Sequence, residues 1–125
     1  MSKSVLVVDD EQGYREMYVF IFQSQGIETT CVTNGQEAVE KIRERAYDLV
    51  IMDVHMPILS GPEAFKEIKK FRPDQKIIIC SSSSDPTHRA ERDVINAGAY
   101  ACLYKPVSLD EIEHIIQEAL SYKSF

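Results

Sequence analysis

Acidic, hydroxyl and amine side chains follow several apolar runs of this sequence, at the point where each run ends. Asp9 and Asp10 follow the first run, Asp53 follows the third, Ser81 follows the fourth, and Lys105 follows the fifth. If the runs are parallel strands, their carboxyl ends meet at one rim of a sheet, where α/β proteins bind their ligands. Any one of these residues alone is more commonly a cap, a turn residue or a surface charge. Their shared position at carboxyl ends predicts a common pocket.

The side chains expected in this pocket are those that phosphoryl transfer to a carboxylate requires. Carboxylates held close together repel one another, so at least one pKa rises unless a cation compensates. Carboxylate oxygens are the ligands that Mg²⁺ prefers. A lysine ammonium pairs with phosphoryl oxygens, and a serine hydroxyl donates a hydrogen bond to them. A nucleophile, a metal site and a cationic contact are therefore all present.

The elements that would position these residues are short apolar runs alternating with segments of helical periodicity. The runs are typical of strands buried in a parallel sheet, and they are Val5–Val8, Ile27–Val32, Leu49–Met52, Ile77–Cys80 and Ala101–Tyr104. Five apolar stripes at helical spacing lie between and after them: Tyr14, Met17, Tyr18, Ile21 and Phe22; Ala38, Val39, Ile42 and Ala46; Ala64, Phe65 and Ile68; Ala90, Val94 and Ile95; Ile112, Ile115, Ile116, Ala119 and Leu120. The alternation predicts one α/β domain with right-handed crossovers and helices on both faces of the sheet.

Capping residues mark the boundaries of the predicted helices. Three polar residues precede a glutamate at the spacing of a capping box: Asn34, Ser60 and Ser108. Asp85 followed by Pro86 predicts that the fourth helix begins there, with proline at its first position. Gly26 and Gly98 lie where helices should end.

Composition excludes several classes of protein. The 125 residues carry a net charge of −6, which argues against direct nucleic-acid binding because that needs a basic surface. No apolar run is long enough to span a bilayer, and the N-terminus lacks the features of a signal peptide, so we expect a cytoplasmic protein without a membrane contact. The three widely spaced cysteines, Cys31, Cys80 and Cys102, show no metal-ligand spacing and are expected to be buried free thiols.

Four segments resemble the receiver-domain family of two-component signalling in their sequence, order and spacing, and the resemblance covers essentially the whole chain. The segment Val5-Leu6-Val7-Val8-Asp9-Asp10-Glu11 looks like the first strand and acidic pair of that family. The segment from Asp53 to Glu63, DVHMPILSGPE, looks like its phosphoacceptor motif. Lys105-Pro106 matches its lysine, and Ala97-Gly98-Ala99 matches the segment before its last strand.

The resemblance implies a fold and a function. The fold would be flavodoxin-like, a doubly wound five-stranded parallel sheet in the order 2-1-3-4-5 with five helices. Residues 1–125 would form one receiver domain, a phosphoprotein switch that accepts a phosphoryl group on Asp53 as an aspartyl phosphate. It would be no enzyme in the usual sense, because it would catalyse only its own phosphorylation and dephosphorylation.

The resemblance also implies site residues and partners. Asp10 would bind Mg²⁺ directly, Asp9 largely through water, and Asp53 and the backbone carbonyl of His55 would complete the protein ligands. Lys105 would contact the phosphoryl group. The partners would be a sensor histidine kinase or histidine phosphotransfer protein and a downstream protein target, with the chain a monomer or weak dimer.

The sequence departs from the family pattern around its fourth and fifth strands. The switch hydroxyl is expected at Ser81, but the following segment is about two residues longer than usual, which leaves Ser82 and Ser83 as alternatives. Cys102 stands three residues before the lysine, where many relatives have an aromatic residue that reports phosphorylation. The His55 side chain either controls the access of water to the phosphoryl group or faces solvent. His88 and His114 are interpreted as residues on helix surfaces.

Two other functions compete with this interpretation. A Mg²⁺-dependent phosphohydrolase that uses an aspartyl phosphate would place an acid two residues after the nucleophile, where this chain has His55. An unphosphorylated receiver-like binding module would usually lack the acidic pair, the acceptor or the lysine. No G-x-G-x-x-G motif follows the first strand, which disfavours a dinucleotide-binding fold. The last helix lacks an Arg-rich pattern, which favours a stand-alone regulator over a fragment of a longer one.

Overall fold

The computed structural model describes residues 3–82 and 85–121 of the chain. Five parallel strands form a single sheet in the order β2-β1-β3-β4-β5. The strands are β1 (Ser4–Val8), β2 (Glu28–Val32), β3 (Leu49–Asp53), β4 (Ile77–Ser81) and β5 (Ala101–Tyr104). Each begins within one residue of the apolar run that predicted it, and the predicted strand order is confirmed.

Helices connect the strands, and those of the described residues are α1 (Gln12–Gln23), α2 (Gly35–Glu44), α3 (Gly61–Phe71), α4 (Arg89–Asn96) and α5 (Leu109–Ile116). A π-helical segment, Gln117–Ser121, continues α5. Helix α1 and helix α5 cover one face of the sheet, while α2, α3 and α4 cover the other. None of these helices is long and apolar enough to cross a membrane.

The core lies in two layers because neighbouring residues of each buried strand point to opposite faces. Val5 and Val7 pack towards α1 and α5, whereas Leu6 and Val8 pack towards α2 and α3. Strands β1, β3 and β4 are buried along their whole length. This explains why their sequences are continuous apolar runs that do not alternate with polar residues.

Side-chain caps begin three of the helices as the sequence predicts. Asn34, Ser60 and Ser108 each accept a hydrogen bond from the backbone N–H three residues later, and the two serines form complete capping boxes. Gly26 and Gly98 lie just beyond the ends of α1 and α4 with φ of +75° and +111°. Glycine adopts such left-handed conformations without the steric cost of a Cβ.

The predicted start of α4 at Asp85-Pro86 is wrong. The helix begins at Arg89, and its N-cap residue is His88, which has a left-handed φ of 50° and makes no capping bond through its side chain. Asp85 instead closes a turn, because its Oδ1 accepts hydrogen bonds from the backbone N–H and the hydroxyl of Thr87, each at 2.9 Å. The strong local preference of aspartate for turns therefore outweighs its preference for the helix cap here.

The apolar stripe predicted for α4 also needs correction. Val94 is buried, but Ile95 is 39% exposed and the buried face of the helix includes Glu91, which is 2% exposed. The other four stripes do face the core, although Ala46 is exposed and lies beyond the end of α2. All three cysteines are free thiols, but only Cys80 is fully buried, since Cys31 and Cys102 are partly exposed.

Candidate functional site

The carboxyl ends of β1, β3 and β5 bring together three of the residues that the sequence placed in one pocket. Val8 pairs in register with Met52, so Asp9, the next residue after β1, lies beside Asp53 at the end of β3. Lys105 directly follows β5, and its backbone N–H donates to the carbonyl of Ser81 at 2.8 Å. The register of a rigid sheet thus fixes the relative positions of the two carboxylates and the amine.

The ammonium group of Lys105 lies at the centre of this arrangement. Its Nζ is 3.0 Å from Asp9 Oδ2, 3.1 Å from Asp53 Oδ2 and 2.9 Å from Glu11 Oε1. The side chains of Lys105, Asp9 and Asp53 are only 3–4% exposed, whereas that of Glu11 is 57% exposed. Charge-assisted hydrogen bonds of this kind are strong where water is excluded.

Burial and charge act in opposite directions on the two central groups. Burial raises the pKa of the Asp53 carboxyl, and the charge of Asp9 raises it further, while the adjacent Lys105 ammonium lowers it; the net direction is upward. Burial lowers the pKa of Lys105, but its hydrogen bonds to Glu11 and Asp9 and the charge of Asp53 outweigh that effect and raise it above its ordinary range. The lysine is therefore held firmly charged between acids that repel one another.

The acidic groups have the donor chemistry and spacing of a site for a hard divalent cation. Carboxylate oxygens of Asp9, Asp10, Glu11 and Asp53 all lie within 4.8 Å of one another. Asp10 and Glu11 are exposed to solvent, whereas Asp9 and Asp53 are buried. An oxygen-only set with one open side suits Mg²⁺, which keeps several of its waters.

The segment after Asp53 holds the Asp53 carboxylate in place. The backbone N–H of His55 donates to Asp53 Oδ1 at 3.3 Å. Gly61 begins α3 against this strand end, and a Cβ on it would lie 2.3 Å from the backbone oxygen of Asp53. Because that distance is far below any van der Waals contact, only glycine allows α3 to approach so closely.

Sequence reasoning did not assign two residues that contact Lys105. Glu11 directly follows the predicted acidic pair, and that position was the available signal for it. Tyr14 was interpreted as one member of the apolar stripe of α1, yet its ring centroid lies 4.1 Å from Lys105 Nζ. This is the geometry of a cation–π contact.

The predicted switch hydroxyl, Ser81, is the last residue of β4 and is 1% exposed. Its Oγ donates a hydrogen bond of 2.5 Å to Glu91 Oε2 of α4. Of the two alternatives, Ser82 is exposed and Ser83 lies outside the described residues. Glu91 was also missed, although its spacing of three residues before the buried Val94 could have placed it on the inner face of the helix.

The remaining histidines differ from one another in their surroundings. His55 has an exposed side chain, in line with the solvent-facing interpretation. His114 is exposed as predicted, with Nε2 2.9 Å from Glu118 Oε2. His88 is not a plain surface residue, because it begins α4 and its ring packs edge-on against Tyr104, with 5.3 Å between centroids.

Comparison with known sequences identifies the family of this chain. The family model for the response regulator receiver domain matches residues 5–117. The chemotaxis protein CheY of Thermotoga maritima is 43% identical over 107 residues, which are 85% of this chain and 88% of that protein. The regulatory protein AtoC of Escherichia coli is 33% identical over 96% of this chain, but the chain spans only 26% of the length of AtoC.

Solved structures give the same result. A CheY-like receiver domain from Methanospirillum hungatei superposes with a TM-score of 0.90 at 26% identity, covering 99% of this chain and 98% of that one. The receiver domain of the sensor histidine kinase PA1611 from Pseudomonas aeruginosa, which has a magnesium ion coordinated in its active-site cleft, superposes with a TM-score of 0.83 at 26% identity over 94% of this chain and 97% of that one. The chain therefore belongs to the response regulator receiver domains, the signalling domains of two-component systems.

Proposed function

We propose that residues 1–125 act as one phosphorylation switch in which the Asp53 carboxylate accepts a phosphoryl group from a phosphohistidine donor. The observation that carries this proposal is the position of Asp53: a buried carboxylate at a strand end, 3.1 Å from a buried lysine and within 4.8 Å of other acids. The donor would be a sensor histidine kinase or a histidine phosphotransfer protein, and the output would be contact with a further protein.

The acidic cluster would hold the cofactor of this reaction. Asp10 and Asp53 would bind Mg²⁺ directly, Asp9 would act largely through water, and the backbone carbonyl of His55 would complete the protein ligands. The bound ion would neutralise charge on the phosphoryl oxygens during transfer. The donor set supports this assignment, because four carboxylates converge on one small volume.

The chain's own residues would carry out the transfer. An Asp53 carboxylate oxygen would form a bond to phosphorus as the bond between phosphorus and the donor imidazole nitrogen breaks, and the imidazole would keep the electron pair. Lys105 would move from its present contact with Asp53 to an oxygen of the transferred group, at little cost because it is already desolvated and charged. The Ser81 hydroxyl would donate to another phosphoryl oxygen.

Water would later attack the aspartyl phosphate and reset the switch. The chain would thus catalyse only its own phosphorylation and dephosphorylation. The exposed His55 side chain lies two residues after the acceptor, where a phosphohydrolase would need an acid. This favours a slow switch over rapid turnover of phosphomonoesters.

The test is direct phosphorylation by a small donor. We expect acetyl phosphate and Mg²⁺ to add one phosphoryl group to the protein, as measured by intact-mass spectrometry, and chelation of the metal to prevent it. Asp53→Asn should remove the adduct, whereas Asp93→Asn, which alters an exposed acid on α4, should retain it. An adduct that persists in Asp53→Asn, or its absence from the unaltered protein, would refute the proposal.

A further inference from the structure

Glu91 is a buried carboxylate outside the acidic cluster. It lies in the first turn of α4 and is 2% exposed, and its Oε2 accepts the hydrogen bond from Ser81 Oγ. Carboxylates are seldom buried unless they are paired. Within the described residues no lysine, arginine or histidine forms an ion pair with Glu91, and its carboxylate is stabilised by the Ser81 hydroxyl.

The charge of Glu91 also acts on two side chains of β5. Burial raises the pKa of the Cys102 thiol, and the negative charge of Glu91 adds to the rise. The same charge contributes to the raised pKa of Tyr104, for which burial is the larger cause. A single side chain of α4 therefore bonds to β4 and acts electrostatically on β5. Residue 102 of β5 is the position at which many relatives have the aromatic reporter.

The Ser81 hydroxyl has one proton and can donate it fully to only one acceptor. Under the proposed function, a phosphoryl group on Asp53 requires that same donor. Ser81 directly follows Cys80, which pairs in register with Asp53, so the hydroxyl and the acceptor lie on neighbouring strand ends. A hydroxyl that turns to the phosphoryl group must leave Glu91.

Loss of this hydrogen bond would leave the Glu91 carboxylate buried without a donor, which is costly. The helix that carries it is weakly anchored at its start, because His88 provides no side-chain cap and α4 is only eight residues long. A shift of α4 that admits water to Glu91 would relieve the cost. The bond between Ser81 and Glu91 thus links the acceptor to the position of a helix.

We propose that Glu91 is a positioning residue that holds the Ser81 hydroxyl while Asp53 is unmodified and releases α4 when a phosphoryl group takes that hydroxyl. The proposal rests on the function proposed above. It supplies a path from Asp53 to the surface that needs no aromatic residue at position 102.

The experiment measures how tightly beryllofluoride, a mimic of the phosphoryl group, binds in the presence of Mg²⁺. Glu91→Leu frees the hydroxyl, so we expect binding about tenfold tighter than in the unaltered protein, close to the lower limit for a hydrogen bond to a charged group. Glu91→Gln keeps an acceptor oxygen and should stay within about threefold of it. The matched control is Asp93→Leu, which removes an exposed acid from the same helix and should change nothing.

Two further measurements separate this coupling from a structural effect. In ligand-free Glu91→Leu, the amide resonances of Val94 and Ile95 should move along the line that joins the free and beryllofluoride-bound positions of the unaltered protein. In a Ser81→Ala background, Glu91→Leu should alter the affinity less than twofold, because the hydroxyl that it frees is gone. If Glu91→Leu does not fold, Glu91→Met replaces it.

Unchanged affinity in Glu91→Leu, or the same tenfold gain in the Ser81→Ala background, would overturn the role of Glu91 and leave the proposed function intact. Failure of the unaltered protein to bind beryllofluoride at all would instead refute the proposed function, and this inference with it.

Discussion

Two interleaved groups of residues at the carboxyl rim, called the acceptor half and the output half, are built differently. The acceptor half, formed by the ends of β1, β3 and β5, holds Asp9, Asp53 and Lys105 in direct contact, with each side chain at most 4% exposed. The output half, formed by the end of β4 and by α4, is linked by a buried hydrogen bond from Ser81 to Glu91.

The helices beside the two halves differ in the same way. Helix α3, which follows the acceptor strand, starts with a complete capping box and has glycine packed against the strand end. Helix α4 starts at a residue with a left-handed φ and no side-chain cap. Elements with few anchoring contacts open at low free-energy cost, and moving parts are drawn from them. This contrast in anchoring is what the proposed function requires, with phosphoryl chemistry at the well-anchored acceptor half and movement of α4 at the output half.

The largest expected effect on stability comes from removing the Lys105 ammonium group from the centre of the acceptor half. Lys105→Met leaves two buried carboxylates without a cation, and we expect the free energy of unfolding to fall by about 3 kcal/mol in metal-free buffer. The pKa of Lys105 is raised in the folded state, so its stabilising effect is complete below the ordinary value of 10.5 and is lost as pH rises through the higher folded value. Urea unfolding across the pH range measures this difference.

The control for that prediction is Lys66→Met, which removes an exposed lysine from α3. Its effect on stability should stay within about 0.5 kcal/mol. Mg²⁺ should restore part of the stability lost in Lys105→Met, because a cation again offsets the acids. A Lys105 variant as stable as the unaltered protein without metal would show that the ion pairs only balance their own desolvation.

A smaller effect compares the starts of α3 and α4. Ser60→Ala removes a capping box whose two bonds are 3.1 and 3.3 Å long, and we expect a loss of about 1 kcal/mol. His88→Gly should change stability by less than about 0.5 kcal/mol, because relief of the left-handed φ offsets the lost ring contact with Tyr104. Chemical unfolding of both variants tests the contrast, and equal losses would contradict it.

The smallest effect concerns the ring beneath the lysine. Tyr14→Leu removes the cation–π contact with Lys105 and should lower the free energy of unfolding by about 0.5–1 kcal/mol. Tyr14→Phe keeps the ring and should match the unaltered protein. In the Lys105→Met background the two variants should be equally stable. If the leucine variant still differs from the phenylalanine variant there, packing and not the cation accounts for the effect.

Much of the fold was predictable because its strands are buried on both faces. Continuous apolar runs at residues 5–8, 49–52 and 77–80 have few alternatives to a central parallel strand, and the three side-chain caps at Asn34, Ser60 and Ser108 act within one turn. Because each cap acts within one helical turn, it can be predicted from the spacing of residues alone. The start of α4 was predicted wrongly because Asp85 satisfies its backbone locally in a turn.

The residues of the candidate site likewise fall into those that the sequence predicted and those that it did not. The sequence placed Asp9, Asp53 and Lys105 together, since each directly follows or ends a strand and parallel strands share a rim. It did not assign Glu91, because the partner of that residue is ten positions away on another element. The spacing of Glu91 from Val94 indicates the inner face of α4, but nothing in the sequence identifies the hydroxyl that Glu91 meets there.

The periodicity of the sequence by itself determined the succession of strands and helices along the chain. The rule that the carboxyl ends of parallel strands converge determined the set of groups at the carboxyl rim. Only the tertiary structure decided which of these groups touch: that Lys105 lies between Asp9, Glu11 and Asp53, and that Ser81 donates to Glu91. The physical reason is that periodicity fixes the direction in which a residue points along its own element. Contacts between elements depend on register and helix placement, which the packed core alone sets.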